Sequence, residues 1–218
     1  DDGGVHPAPL SLEWRPGDRL DVVGEPHRTR LVAATLAGAL APASGSLHVA
    51  GHAVPSEALQ VRSKVSLWSP QDGDALTPLG DALEQRMIWS GTLQGLSRAQ
   101  RTQRVRQTIA TLNTLDHDQE DRGGIAESTL PGLLSPSQQI LVWAALALAD
   151  GSPVCIVSPA EPLDDHGQRE VWWRALDALG TSDRTIALCS LPPARALSPV
   201  SVTTRVVDLS ASQEALTR

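Results

Sequence analysis

The feature that most constrains this chain is an alternation of helical and strand patterns near its C-terminal end. Residues 136–150 have a helical pattern with a proline in the first turn, and residues 154–158 form an apolar, largely β-branched run without alternation. A second helical pattern at 166–179 and a second apolar run at 185–189 follow. Strands buried on both faces and separated by helices are typical of a parallel sheet. We therefore expect a three-layer α/β core.

The rest of the chain contributes N-terminal β strands and a helical region. The two helical patterns in the middle, the second with Ser97 as N-cap, indicate a helical subdomain rather than part of the sheet. We expect an N-terminal part of the core at 1–71, the helical subdomain at 72–135 and the C-terminal part of the core at 136–218. The predicted strands are 10–14, 19–23, 46–49, 65–68 and 201–209, and the predicted helices are 29–40, 79–89 and 98–112.

Composition limits the classes of partner. The 218 residues carry a net charge of −7, which is unfavourable for binding a phosphate backbone, so we expect no nucleic-acid partner. The longest apolar run, 140–149, is about half of the roughly 20 residues that cross a bilayer. The first residues show no secretory signal pattern, and Cys155 and Cys189 lie in apolar strand patterns that suit buried thiols. These features favour a cytosolic protein.

Six segments of the sequence resemble, in order and spacing, the nucleotide-binding domain of an ABC transporter. The resemblance extends from about Leu10 to Leu209, with LSPSQ where the family has LSGGQ and IVSPAEPLDD where LLLDEPTxxLD is usual. It implies a P-loop NTPase-like core that uses ATP and magnesium. The other segments are RPGDRLDVVG, ATLAGALAPASGSLHVAG, WSPQD at the family's Q-loop, and LTPLGDALE at the opening of the helical subdomain.

The expected phosphate loop departs from the pattern GxxxxGK[ST], whose glycines, lysine and hydroxyl hold phosphates and magnesium. Of the loop glycines, only Gly24 is present. Counting forward from Gly24 puts Arg30 at the lysine position, whereas counting back from the following Leu-Ala-Gly puts Thr29 there. Pro26 lacks an N–H group and Glu25 adds negative charge, and both disfavour anion binding.

The resemblance also implies acidic positions at the end of the strand at 154–158. It aligns Val157 with the aspartate that holds magnesium, Ser158 with the glutamate that polarises water, and Leu191 with the switch histidine. Val157 cannot ligate a hard cation and Ser158 is a weak base, so we predict no metal site and no catalytic residues here. A second register, in which Glu161-Pro162 is the glutamate-proline pair, stays open.

Residues that serve a partner domain's nucleotide are better retained in the resemblance. Gln71 stands at the Q-loop position, which in the family senses the membrane subunit. Ser137 replaces a glycine of the signature, and Ser135 followed by Pro136 is also explained by helix initiation alone. The predicted partner-facing set is Leu134, Ser135, Ser137, Gln138 and Asp164, and the weak nucleotide-binding set is Gly24, Thr29, Arg30 and Gln71.

Met87, Ile88 and Trp89 end the first helix of the predicted subdomain. In the family this lobe and the Q-loop form a groove for a short coupling helix of the permease, which exposed Met and Trp would suit. Burial within the lobe is the simpler expectation. For the adjacent pair Trp172 and Trp173 we expect core packing or a helix contact.

The resemblance and the missing groups together predict a catalytically degenerate ABC transporter subunit. We expect it on the cytoplasmic face of the membrane, paired with a second, non-identical nucleotide-binding domain and with a transmembrane permease subunit, in a structural or regulatory role. ATP and magnesium are expected only through a partner domain or if the site is still competent. The alternatives are a divergent but active ATPase that uses Arg30 and Glu161, and a soluble pseudo-ATPase interaction module.

Overall fold

The computed structural model describes residues 12–69, 75–89, 95–116, 123–158, 166–190 and 204–209. Five strands form one parallel sheet in the order β4-β5-β6-β1-β7, and two short strands form an antiparallel hairpin. The predicted mainly parallel sheet with additional antiparallel strands is confirmed. The strands are β1 (Arg19–Val23), β2 (Leu47–Val49), β3 (His52–Val54), β4 (Val65–Trp68), β5 (Val154–Val157), β6 (Thr185–Ser190) and β7 (Thr204–Asp208).

Two of the helices begin at capping boxes. The Ser97 hydroxyl accepts from the Gln100 N–H while the Gln100 side chain accepts from the Ser97 N–H, and Ser135 and Gln138 repeat this arrangement. Such caps satisfy backbone donors that have no partner within the helix. The helices are α1 (Pro26–Leu36), α2 (Ala58–Arg62), α3 (Leu79–Trp89), α4 (Arg98–Leu115), α5 (Pro136–Leu148) and α6 (His166–Leu179), with a short 3-10 helix at Pro131–Leu133.

The sheet separates two apolar layers. On one face, Leu20 and Val22 of β1 pack with residues of α1, α2 and the β2–β3 hairpin. On the other face, one continuous cluster joins the sheet to α3, α4, α5 and α6, and both Trp172 and Trp173 are buried in it. Core packing of this pair is therefore confirmed. Because this cluster contains residues of the predicted helical subdomain and of the core, the boundaries at 71 and 135 stay predictions.

The structure differs from the predicted elements mainly near the N-terminus. The strand predicted at 10–14 is wrong for its described part, since residues 12–14 form no ladder. The carbonyl of Glu13 instead accepts from the Arg205 side chain at 2.9 Å, and that of Arg15 from the Thr185 hydroxyl at 3.2 Å. Helix α1 begins three residues earlier than predicted and ends four residues earlier, before Gly38 at φ +69°.

The two cysteines confirm the expectation from their apolar surroundings. Cys155 in β5 and Cys189 in β6 are free thiols, and both are buried. Burial disfavours the thiolate and raises the pKa of each to about 12. Thiols of this kind are inert, so neither is a candidate nucleophile.

A buried ion pair crosses from β1 to α6. Asp21 is fully buried, and its carboxylate accepts hydrogen bonds from Arg169 and, at 3.2 Å, from Nε1 of Trp173. Burial raises the pKa of Asp21, while the Arg169 guanidinium acts to lower it. Two residues earlier, Nε of Arg19 lies 2.7 Å from Oδ1 of Asp177, whose side chain is partly exposed. Both pairs hold α6 on β1.

We expect Asp21→Leu to lower the free energy of unfolding by about 3–5 kcal/mol, because it leaves the Arg169 charge buried and unpaired. Urea unfolding measures the loss. Asp177→Ala on the same helix is the matched control and should cost about 1 kcal/mol or less, since its side chain is partly solvated. Adding Arg169→Met to Asp21→Leu should recover most of the loss. Equal losses for the two single variants would contradict the special role of the buried pair.

Candidate nucleotide site

The turn between β1 and α1 is where the phosphate loop is predicted. Only Gly24 and Glu25 separate the two elements. The Gly24 N–H donates to the Ser190 carbonyl at 3.2 Å, and the Leu209 N–H donates to the Val23 carbonyl at 2.8 Å. A Cβ on Gly24 would lie only 2.8 Å from Cβ of Leu209, so the position has no room for a side chain. The turn is thus closed down against β6 and the residue after β7.

The first turn of α1 has charged side chains but no side-chain capping hydrogen bond. Glu25 occupies the N-cap position but makes no side-chain capping hydrogen bond, and Pro26 contributes no N–H. Nη1 of Arg28 donates to the Leu209 carbonyl at 3.2 Å, and its Nε lies 3.9 Å from the Glu25 carboxylate. A carboxylate therefore lies at the positive end of this helix, where a phosphate would otherwise be favoured. Sequence analysis missed the role of Arg28, because its partner carbonyl is 181 residues away in the chain.

Thr29 and Arg30, the two candidates for the lysine position, point in different directions. Thr29 is buried, and its hydroxyl donates within the helix to the carbonyls of Glu25 and Pro26, at 3.3 and 3.2 Å. Arg30 is exposed and makes no ion pair or side-chain hydrogen bond with the described residues. The side chain of one candidate for the lysine position is therefore engaged within the first turn of α1, and that of the other faces solvent.

These observations test whether the turn fits a magnesium-bound triphosphate. A phosphate loop surrounds phosphate with successive backbone N–H groups, which requires several residues between strand and helix. Here the connection between β1 and α1 has only two residues, and the helix begins with a proline, which has no N–H group. The Gly24 N–H donates to the Ser190 carbonyl and is not directed at a ligand. The residues present do not form a phosphate cradle.

The end of β5 carries no carboxylate within the described residues. Val157 is fully buried in the core, and Ser158 is also buried, with its N–H donating to the Trp68 carbonyl at 2.8 Å. No group of three or more His, Cys, Asp or Glu side chains that could hold a metal occurs in the described part of the chain. The predicted positions Gln71, Asp164 and Leu191, and the alternative Glu161, lie outside it.

The signature segment is largely engaged within the chain. Ser135 and Gln138 are both buried and form the capping box of α5, while Leu134 and Ser137 are partly exposed. Nε2 of Gln138 also donates to Oδ2 of Asp116 at 2.8 Å, and this contact ties the end of α4 to the start of α5. Helix initiation thus accounts for Ser135 and Gln138, and their role on a partner's nucleotide stays a prediction. The contact of Asp116 with Gln138 was not predicted, because Asp116 lies in a polar stretch without periodicity.

The end of α3 presents apolar side chains to solvent. Met87 is buried as expected, but the expectation of burial is wrong for Ile88 and Trp89, which are 45% and 80% exposed. In the described part of the predicted helical subdomain (72–135), called the lobe from here on, the Gly132 N–H donates to the Ala75 carbonyl at 2.9 Å and brings two turns together. The residues that follow in these turns, Leu76 and Leu133, are also highly exposed. None of the described helices is long and apolar enough to cross a membrane.

Comparison with known proteins gives a result for structure only. No family model and no curated protein matches the sequence. A dimeric ATP-binding cassette, MJ0796, in a post-hydrolysis state bound to ADP and phosphate, aligns with a TM-score of 0.55 and 17% identity over 82% of this chain and 77% of that chain. A second dimeric structure of MJ0796, a bacterial ABC transporter cassette, aligns with a TM-score of 0.56 and 16% identity over 91% of this chain and 84% of that chain.

A third structure belongs to a different transporter. It is cbiO1 from Clostridium perfringens, part of the ABC transporter complex cbiONQ, with a TM-score of 0.60 and 13% identity over 84% of this chain and 70% of that chain. At these identities the likeness establishes architecture, which agrees with the parallel sheet, the hairpin and the helical lobe described above. The chain has the fold of an ABC transporter ATP-binding cassette.

Proposed function

We propose that this chain is a catalytically degenerate cassette subunit of an ABC transporter, with a structural or regulatory role. The observation that carries the proposal is the two-residue connection between β1 and α1, closed by the Gly24 and Leu209 hydrogen bonds. Phosphoryl transfer depends on positioning and on neutralising phosphate charge. A turn without a cradle, with Glu25 at the helix start, supplies neither.

The second element of the proposal concerns hydrolysis. A working site needs a carboxylate for magnesium and a base that orients water. Val157 and Ser158 at the end of β5 offer an apolar side chain and a buried hydroxyl. Neither can replace the missing carboxylate, so we expect no turnover at this site even if a nucleotide is present.

A subunit of this kind needs a competent partner. Two copies of this chain would bring together two sites with the same closed turn, so we propose a non-identical second nucleotide-binding domain. The similar cassette MJ0796 forms a dimer, and cbiO1 belongs to a complex with other subunits. In the pair, this chain would complete the dimer, and the contact of Asp116 with Gln138 would transmit movement between α4 and α5.

Docking on a membrane permease is supported by the exposed apolar side chains of the lobe. A Trp that is 80% exposed beside an exposed Ile is unfavourable for an isolated soluble surface and is typical of a contact site. Leu76 and Leu133 add apolar area on the same lobe. We propose that the end of α3 contacts a cytoplasmic segment of the permease. Such contacts would put the chain on the inner face of the membrane.

Magnesium ATP at millimolar concentration should leave the melting temperature of the chain unchanged. Saturation at about 100 times the dissociation constant would add about 2.7 kcal/mol, which is several degrees for a chain of this size. The cassette MJ0796 in the same assay is the positive control. A magnesium-dependent shift that Arg30→Ala abolishes and Arg98→Ala retains would contradict the proposal and favour a divergent ATPase.

Replacing Trp89 by Gln should reduce recovery of the cognate permease with the affinity-purified chain by about tenfold, since a buried aromatic anchor contributes about 1.4 kcal/mol or more. The measurement is co-purification from membranes with the melting temperature of each variant as a check. Leu59→Gln is the matched control, because Leu59 is 76% exposed on α2, on the other side of the sheet. Equal recovery for both variants would exclude α3 as the docking element, and recovery of a soluble partner alone would favour the interaction-module alternative.

A further inference from the structure

A groove between the helical lobe and the core is separate from the turn at Gly24. It has a volume of about 320 Å³ and is lined by residues of α3, α4, α5 and α6 and by Arg184, the residue before β6. Apolar side chains, among them Leu148 and Leu179, are part of its lining. This volume lies at the lower end of the roughly 300–1,000 Å³ found for small-molecule sites.

One wall of the groove is a polar face of α4. Arg104, Gln107, Thr108 and Thr111 have the spacing i, i+3, i+4, i+7 and all line the groove. A guanidinium, an amide and two hydroxyls therefore lie along one face of α4, in a groove that apolar side chains also line. This combination offers a ligand both apolar contact and a few directed hydrogen bonds.

The charge of the groove is opposite to that of the whole chain. Helix α4 contains four arginines and no acidic residue, although the chain has a net charge of −7. Arg101 lies 3.7 Å from Glu84 and Arg106 lies 2.8 Å from Glu127, so these two are paired. Arg104 is exposed and makes no ion pair or side-chain hydrogen bond with the described residues. Within the described part of the chain, its charge is therefore not neutralised by an ion pair.

Arg184 supplies a second guanidinium that is held in place. Its Nη1 donates to the Leu148 carbonyl at 2.9 Å, at the end of α5, and the side chain is partly buried. Asp150, the acidic residue just beyond α5, lies 3.9 Å from Arg86 and is thus paired with another arginine. The lining of the groove therefore combines two guanidinium groups with apolar side chains.

We propose that this groove is a binding site for a small carboxylate with an apolar body. The planar fork of a guanidinium matches a carboxylate and binds it through charge-assisted hydrogen bonds. The polar face of α4 provides further donors, and the apolar lining residues provide contacts for a short hydrocarbon chain or ring. A ligand here would contact the lobe and the core together, and it would bind without any requirement for the turn at Gly24.

The test is isothermal titration of the full chain with sodium octanoate, with acetate and octylamine as comparison ligands. Octanoate should bind saturably with one site per chain, acetate should bind far more weakly because it lacks the apolar body, and octylamine should not bind because its charge is repelled. Arg104→Glu should weaken octanoate binding by about tenfold or more, and Arg104→Gln by less.

The matched control is Arg98→Glu, which makes the same charge change on the same helix at an exposed position that does not line the groove. It should leave octanoate affinity within about twofold of the unmodified chain, since a distant exposed charge is screened. Equal losses for Arg98→Glu and Arg104→Glu, equal binding of octylamine, or no saturable binding at millimolar octanoate would each overturn the proposal. Melting temperatures establish that all variants are folded.

Discussion

The buried pair of Asp21 and Arg169 fixes the strand on which the rest of the site depends. Asp21 lies at the middle of β1, between β6 and β7, and its carboxylate is bonded to two side chains of α6. A charge with this degree of burial cannot leave its partner without a large desolvation cost. Three residues further on, Gly24 is bonded to Ser190 and packed against Leu209. The turn is therefore held through β1 by the Asp21–Arg169 pair and directly by the contacts of Gly24 with Ser190 and Leu209. Its closed geometry is thus a stable property of the fold.

The elements that could be predicted best from the sequence are those in which consecutive residues are apolar and buried. Residues 154–157 and 185–190 are buried without exception, so an unbroken apolar run was a sufficient signal. Helices α3 and α6 have the bounds expected from their periodicity. The alternation at 10–14 predicted a strand, but a ladder needs a neighbour. The Arg205 side chain takes the Glu13 carbonyl, which a neighbouring strand would otherwise have used.

At the candidate site, the sequence left both Thr29 and Arg30 as candidates for the lysine position. The residue at which α1 begins determines which way each of these side chains points. A proline is favourable in the first turn of a helix, and α1 begins at Pro26, three residues before the predicted start. With the helix beginning there, Thr29 faces the core and Arg30 faces solvent. The contacts of Arg28 with Leu209 and of Gln138 with Asp116 depend on tertiary structure, and no local pattern reports them.

The lobe and the core share one apolar cluster, and this bears on how a regulatory cassette could act. Met87 is buried in that cluster two residues before the exposed Trp89, and Arg86 pairs with Asp150 beyond the end of α5. Force applied at the end of α3 therefore reaches packed core residues within one helical turn. A packed core has few alternative arrangements, so the lobe is better suited to transmit a displacement with the core than to rotate freely on it. A ligand in the groove beside Arg104 would reinforce that coupling, because it would touch α4, α5 and α6 at once.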